Sequence, residues 1–209
     1  MEQQGMKKQL VAINMKKVSK LASLIFFIFL ILGTVINIAA KGGLFVLTLW
    51  DILILAVGYV ALIILHELLH GLAHLICGMK PADIKFGFIP KIMAAYCYGE
   101  KPLTVAKFRF VLVLPVIVTG IIPLIFAGIY LNILYIFLFS AMVAGGSGDL
   151  AMLWELRKYP RGQMLQDHPS APAFYLLFNE DSLPQDFVEV TEEQERALQE
   201  SITKKPRKK

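Results

Sequence analysis

Apolar positions in this chain come in long unbroken runs, not in the alternating or every-third-and-fourth spacing of half-buried strands and helices. Residues 21–40 carry no charge and would rise about 30 Å as a helix, enough to cross the hydrocarbon core of a bilayer. After a short polar turn at Lys41-Gly42-Gly43, a second run starts near Leu44 and continues to about Cys77, where Gly78 and Pro81 end it. Residues 110–148 again lack any charged side chain. As one helix they would run about 58 Å, nearly twice the core thickness, so they must fold back. The turn is expected at Tyr130-Leu131-Asn132, because Asn is the most turn-prone residue near the middle. The pattern thus predicts spans at about 21–40, 44–77, 110–130 and 133–156, the third kinked by Pro115 and Pro123.

Composition agrees. The 209 residues are 56% hydrophobic and 18% charged, against about 25% charged in an ordinary soluble domain. The bases cluster before the first span, in residues 78–109 and after the fourth span at Arg157, Lys158 and Arg161, with Lys41 the exception. That one-sided distribution places both termini in the cytoplasm of a multi-pass cell-membrane protein. It also accounts for the net charge of +5 through lipid, with no nucleic-acid partner needed. Cys77 and Cys97 make no disulfide framework and read as free thiols.

The polar regions predict little regular structure. Residues 1–20 are a cytoplasmic segment. Within 78–109, Ile84 to Phe88 and Ile92 to Tyr98 are rich in β-branched and aromatic residues, punctuated by Gly87 and Pro90. They read as a short β-hairpin, a membrane-dipping loop, or a loop covering the helix ends. A strand there could offer its edge to an extended peptide. Residues 157–180 form a cytoplasmic extension whose apolar stretch 173–178 reads as a strand. Residues 181–209 are a charged tail, expected to be disordered apart from a short helix opened by the capping box Thr191-Glu192-Glu193-Gln194. The expected class is an all-α polytopic membrane protein of about four transmembrane helices. A small cytoplasmic loop or β-hairpin insertion and a C-terminal extension complete it, around a membrane domain at 21–156.

Chemistry enters where ionisable groups interrupt the apolar runs, since such groups are costly there and usually functional. His66-Glu67-Leu68-Leu69-His70 places two histidines about 40° apart on one helix face, one turn above the other, able to hold one metal ion. Glu67 stands about 100° away, placed to reach a water on that ion. From Asp51, near the outer interface, His66 is about 22 Å deep; from Asn132, Asp149 is about 25 Å deep. Asp149 is therefore the expected third ligand of one Zn2+, which leaves a fourth position open. Glu155, about 120° around the helix and deeper, is the rival. His74, one turn past His70, is a ligand, a hydrogen-bond donor beside the site, or an interfacial residue. His168 is either a cap on the site or a surface residue.

The elements His-Glu-Leu-Leu-His-Gly at 66–71, Tyr96-Cys97-Tyr98, Gly148-Asp149 and Asp167-His168-Pro169 come in an order and spacing that resembles a known group. It is the putative zincin peptidase family of small bacterial membrane proteins, distantly similar to site-2 proteases. The likeness covers roughly residues 55–180. It implies a membrane zinc peptidase in which His66, His70 and Asp149 hold zinc and Glu67 is the catalytic base. Asp149 is followed by Leu150 where site-2 proteases usually have Gly. The expected function is hydrolysis of membrane or membrane-proximal peptides. The alternatives are a non-catalytic zinc-binding scaffold or regulatory protein, and a metal transporter. Polar groups clustered at one depth, with no repeat, count against transport.

Overall fold

The computed structural model describes residues 6–41, 48–89, 94–130, 132–169 and 171–203. Its helices begin where short polar side chains can satisfy free backbone N–H groups. Helix α1 spans Met15–Lys41 and α2 spans Leu49–Ile76. Thr48 and Asp51 form a reciprocal capping box at the start of α2, which explains an acid at the head of an apolar helix. Thr104 caps α3 (Val105–Pro115), five residues before the expected start of that span. Asn132 caps α5 (Ile133–Gly145), accepting from the N–H of Leu134 and Tyr135. The expected turn thus ends at Asn132; Leu131 lies outside the described residues, as do Gly42, Gly43 and residues 44–47 of the expected second span.

The third run is not one regular helix. A π-helical segment, Val116–Ile121, separates α3 from α4 (Ile122–Ile129), between Pro115 and Pro123. The fourth is also broken. After α5, Gly146 ends one helix and α6 (Ser147–Leu156) leaves at 42°. Among the described residues three helical stretches, 17–40, 49–76 and 105–129, are long and apolar enough to cross a membrane, and the bent α5–α6 pair would make a fourth if it is one span. Large apolar side chains such as Ile31, Val57, Ile64 and Phe126 are exposed on them.

The described residues are mostly helical, 65%, but the all-α expectation is corrected by two sheets. Strands β2 (Ile84–Ile89) and β3 (Ala94–Gly99) form the hairpin that was one of three readings; Pro90 to Met93 lie outside the described residues. A four-stranded antiparallel sheet has the order β1-β6-β5-β4. It unites β1 (Met6–Ala12), β4 (Leu103–Thr104), β5 (Met164–Asp167) and β6 (Ala173–Asn179). β1 pairs with β6 from Met6↔Asn179 to Ala12↔Ala173, so segments near the two ends of the chain lie side by side. The apolar stretch in the extension is a strand, and the segment at residues 1–20 contributes β1 and the start of α1. Nor is the tail disordered from residue 181. Val190 N–H donates to Lys8 O, and α7 (Glu192–Thr203) starts at the expected capping box. Residues 204–209 lie outside the described set.

Two cations tie the helix ends together. Lys107 Nζ donates to Cys77 O just past α2, and Arg109 donates to Leu156 O at the end of α6. Each places a positive charge at a helix C-terminus, where unpaired carbonyls favour it. Both come from α3, so α2 and α6 are pinned at neighbouring levels. Beneath them Phe108, Leu156, Leu165, Phe174 and Leu176 form the buried apolar junction between helices and sheet.

Candidate metal centre

Most of α2 is apolar and outward-facing; its buried residues are His66, His70, Gly71, Ala73 and His74. The helix therefore turns inward where its polar side chains lie. Gly71 is required there, because a Cβ would sit 2.7 Å from the Phe86 ring of the β2–β3 hairpin. The hairpin docks across α2 at this point. The backbone N–H of Cys97 in β3 faces the Glu67 carboxylate, and that of Gly99 faces Asp167.

His66 Nε2 lies 3.1 Å from Asp149 Oδ2, and His70 Nε2 lies 3.5 Å from Asp149 Oδ1. The expected convergence of α2 and the later span is present. The donor atoms of His66, Glu67 and His70 also fall within 4.8 Å of one another. Asp149 is in the first turn of α6, immediately after the 42° break. A carboxylate is favoured at such a helix N-terminus. The break also needs Gly146, where a Cβ would stand 2.9 Å from Val116 Cγ2 and 3.7 Å from His66 Cε1.

The outer ring nitrogens set the tautomers. His70 Nδ1 is 3.0 Å from Val111 O, which only accepts, so Nδ1 carries the proton. This acceptor exists because Pro115, four residues on, has no N–H to give Val111. His66 Nδ1 is 3.0 Å from Thr119 Oγ1, and that hydroxyl donates to Pro115 O at 2.7 Å. The hydroxyl proton being used, Thr119 accepts from His66 Nδ1–H. In the neutral tautomer both Nε2 atoms would turn lone pairs toward the Asp149 carboxylate, an arrangement that a cation held between them satisfies. Tetrahedral zinc with bonds of about 2.0–2.2 Å separates its ligand atoms by about 3.3 Å; the two nitrogen–oxygen spacings, each to a different oxygen of Asp149, are 3.1 and 3.5 Å. The donor set fits a metal, and histidines oriented through their far nitrogens are the usual arrangement where such residues hold one.

A cavity of about 430 Å³ opens onto these groups. Tyr59 and Ile63 line it on the α2 side, Tyr96 and Tyr98 on the hairpin side, Asp167 and His168 from the extension. Burial, against the pull of His70, holds the Asp167 carboxyl up at about 7. His168 is 3% exposed and is not a surface residue; its Nε2 lies 3.1 Å from Glu195 Oε2. Glu155 is not brought to the site and pairs with Lys158 at 2.5 Å. His74 does not line the cavity: it is buried near Gly99, with no hydrogen-bond partner to either ring nitrogen among the described residues.

Sequence reasoning did not find Thr119, the Val111 carbonyl or Tyr59. The first two had a signal in Pro115 and the π-prone Pro-x₇-Pro interval; Tyr59 had one in its seven-residue spacing from His66, two turns of the same face. Thr119→Val should leave the ligand set intact yet weaken zinc binding about 10–100-fold, the usual cost of removing such an outer hydrogen bond. Competition with a calibrated zinc chelator on the purified protein measures it.

A sequence model of the family described as "putative zincin peptidase" matches residues 59–164. Among curated proteins and among solved structures, nothing matches the chain.

Proposed function

The chain belongs to the putative zincin peptidase family, and from that premise we propose that it is a membrane-embedded zinc metalloprotease acting on peptides in or beside the bilayer. The observation that carries this reading is the convergence of the His66 and His70 Nε2 atoms on Asp149, with Glu67 adjacent and a cavity in front. In this reading His66, His70 and Asp149 hold one Zn2+. Zinc, when bound, supplies a Lewis acid that acidifies water and polarises a carbonyl.

The remaining chemistry is the chain's own. Glu67 takes the proton of the attacking water and later delivers it to the leaving amine nitrogen. Thr119 and the Val111 carbonyl keep both imidazoles in the tautomer that presents Nε2. The substrate segment lies extended along β3. Among the described residues β3 is paired in a sheet only with β2, and Tyr96, Cys97 and Tyr98 line the cavity, so the other edge of β3 is where an extended peptide would add. An extended strand exposes its carbonyls to attack, which a helical segment does not.

The helices' exposed apolar surface supports the multi-pass placement. The β1–β6 pairing supports termini on one side, the cytoplasmic side by the distribution of bases. The test is metal removal. Detergent-purified protein stripped with a chelator should lose hydrolysis of a mass-spectrometrically read peptide library and regain it with stoichiometric zinc. Zinc binding without zinc-dependent cleavage would instead support the scaffold reading.

A further inference from the structure

A second cavity, about 540 Å³ and more open, lies on the sheet side of the first. The two share a wall made by Tyr98 and Asp167. Beside that wall His168 lines the inner cavity and Glu195 the outer one, and the two side chains are bonded at 3.1 Å. Glu195 also accepts from Tyr175 OH at 2.6 Å. Glu195 belongs to α7, whose half-buried face is Glu195 and Leu198 while its remaining described side chains are exposed. The segment leading into α7 is held against β1 by Val190 N–H to Lys8 O and by the exposed Lys7–Glu189 pair.

We propose that α7 is a strap that closes the passage between the outer cavity and the metal centre, with Glu195 as its catch on His168 and Tyr175. A helix with so little buried surface detaches locally at low cost. When it leaves, His168 loses the bond to Glu195, and the stretch Asp167-His168 that forms part of the wall is freed from that side. The passage then joins solvent to the cavity where Glu67 and the two ligand histidines lie. Its consequence for catalysis rests on the peptidase reading; the closure itself does not.

The chain carries its own reporter. Cys97 lines the inner cavity, and the other cysteine, Cys77, is buried elsewhere. Burial and the nearby Glu67 and Asp167 carboxylates push the Cys97 thiol up to about 12, so it reacts slowly even when reached. Access must therefore be read as a ratio of reagents of different size. In full-length protein with Cys77→Ala, labelling by N-ethylmaleimide and by a maleimide on a polyethylene glycol chain would be followed at one pH.

Glu195→Ala should raise the large-reagent rate about tenfold relative to the small one, the scale set by losing two hydrogen bonds. Tyr175→Phe, which removes only one, should raise it less. A chain ended at Thr191 should match or exceed Glu195→Ala. If Glu195→Ala unfolds, seen as loss of its thermal transition, Tyr175→Phe and the shortened chain still decide. An unchanged ratio in both overturns the strap. Labelling needs no turnover, so a chain without peptidase activity can still show the strap. Equally, zinc-dependent cleavage with an unchanged ratio would sink the strap alone.

Discussion

Glu67→Gln is expected to keep one zinc per chain and to lower turnover by a factor of about 10²–10⁴, the range that general acid–base groups contribute. The amide has nearly the shape of the carboxylate, so it keeps the packing between α2 and β3 and can still face the Cys97 N–H. It cannot take a proton from water. The two imidazoles and Asp149 are untouched, and Thr119 and the Val111 carbonyl still hold the imidazole Nδ1 atoms. Metal analysis and library cleavage on one preparation separate the outcomes. Glu67 lies close enough to both histidines to serve as a ligand itself. If the variant loses zinc, Glu67 is a ligand. If it keeps full turnover, Glu67 is not the base.

The convergence of His66, His70 and Asp149 was largely readable in the chain because it depends on regular geometry. Four-residue spacing on a helix puts His66 and His70 on one face whatever surrounds them. Counting depth from two outer turns brought Asp149 to the same level, which required only helices of normal rise. Departures from regularity were harder to read. Asp149 reaches the histidines through a 42° break at Gly146, and Pro115 acts less as a simple kink than as the source of a free carbonyl for His70. Each is a local irregularity whose use depends on a partner from another helix.

The sheet was the larger omission. β1 reads Met-Lys-Lys-Gln-Leu-Val-Ala, with no clean alternation. It is a strand because β6, more than 160 positions later, supplies its partner. Pairings at such separation leave no local trace. The same distance hid the role of His168. Its neighbours in sequence suggest a surface turn, whereas burial and Glu195 come from packing of the extension against α7. The tail's high charge suggested disorder, yet its capping box was a local signal and was realised.

Asp149→Ala is expected to weaken zinc binding by more than about 100-fold, beyond the 10–100-fold loss for an outer hydrogen bond such as that of Thr119. The carboxylate is the anionic member of the set and the one that closes the site opposite the imidazoles. Without it, two neutral nitrogens on one helix are left to hold a dication in apolar surroundings, where an unpaired charge is costly. Its removal does not disturb α2, so His66 and His70 should stay oriented by Thr119 and Val111. The deficit should therefore be in the metal and not in the fold, visible as zinc lost on dialysis with the thermal transition retained. Asp149→Glu tests the geometry, since an added methylene in the first turn of α6 moves the carboxylate relative to a site whose spacings are 3.1 and 3.5 Å. Full zinc occupancy in Asp149→Ala, with zinc lost in Glu67→Gln, would transfer the third-ligand role to Glu67 and leave Asp149 as the candidate base.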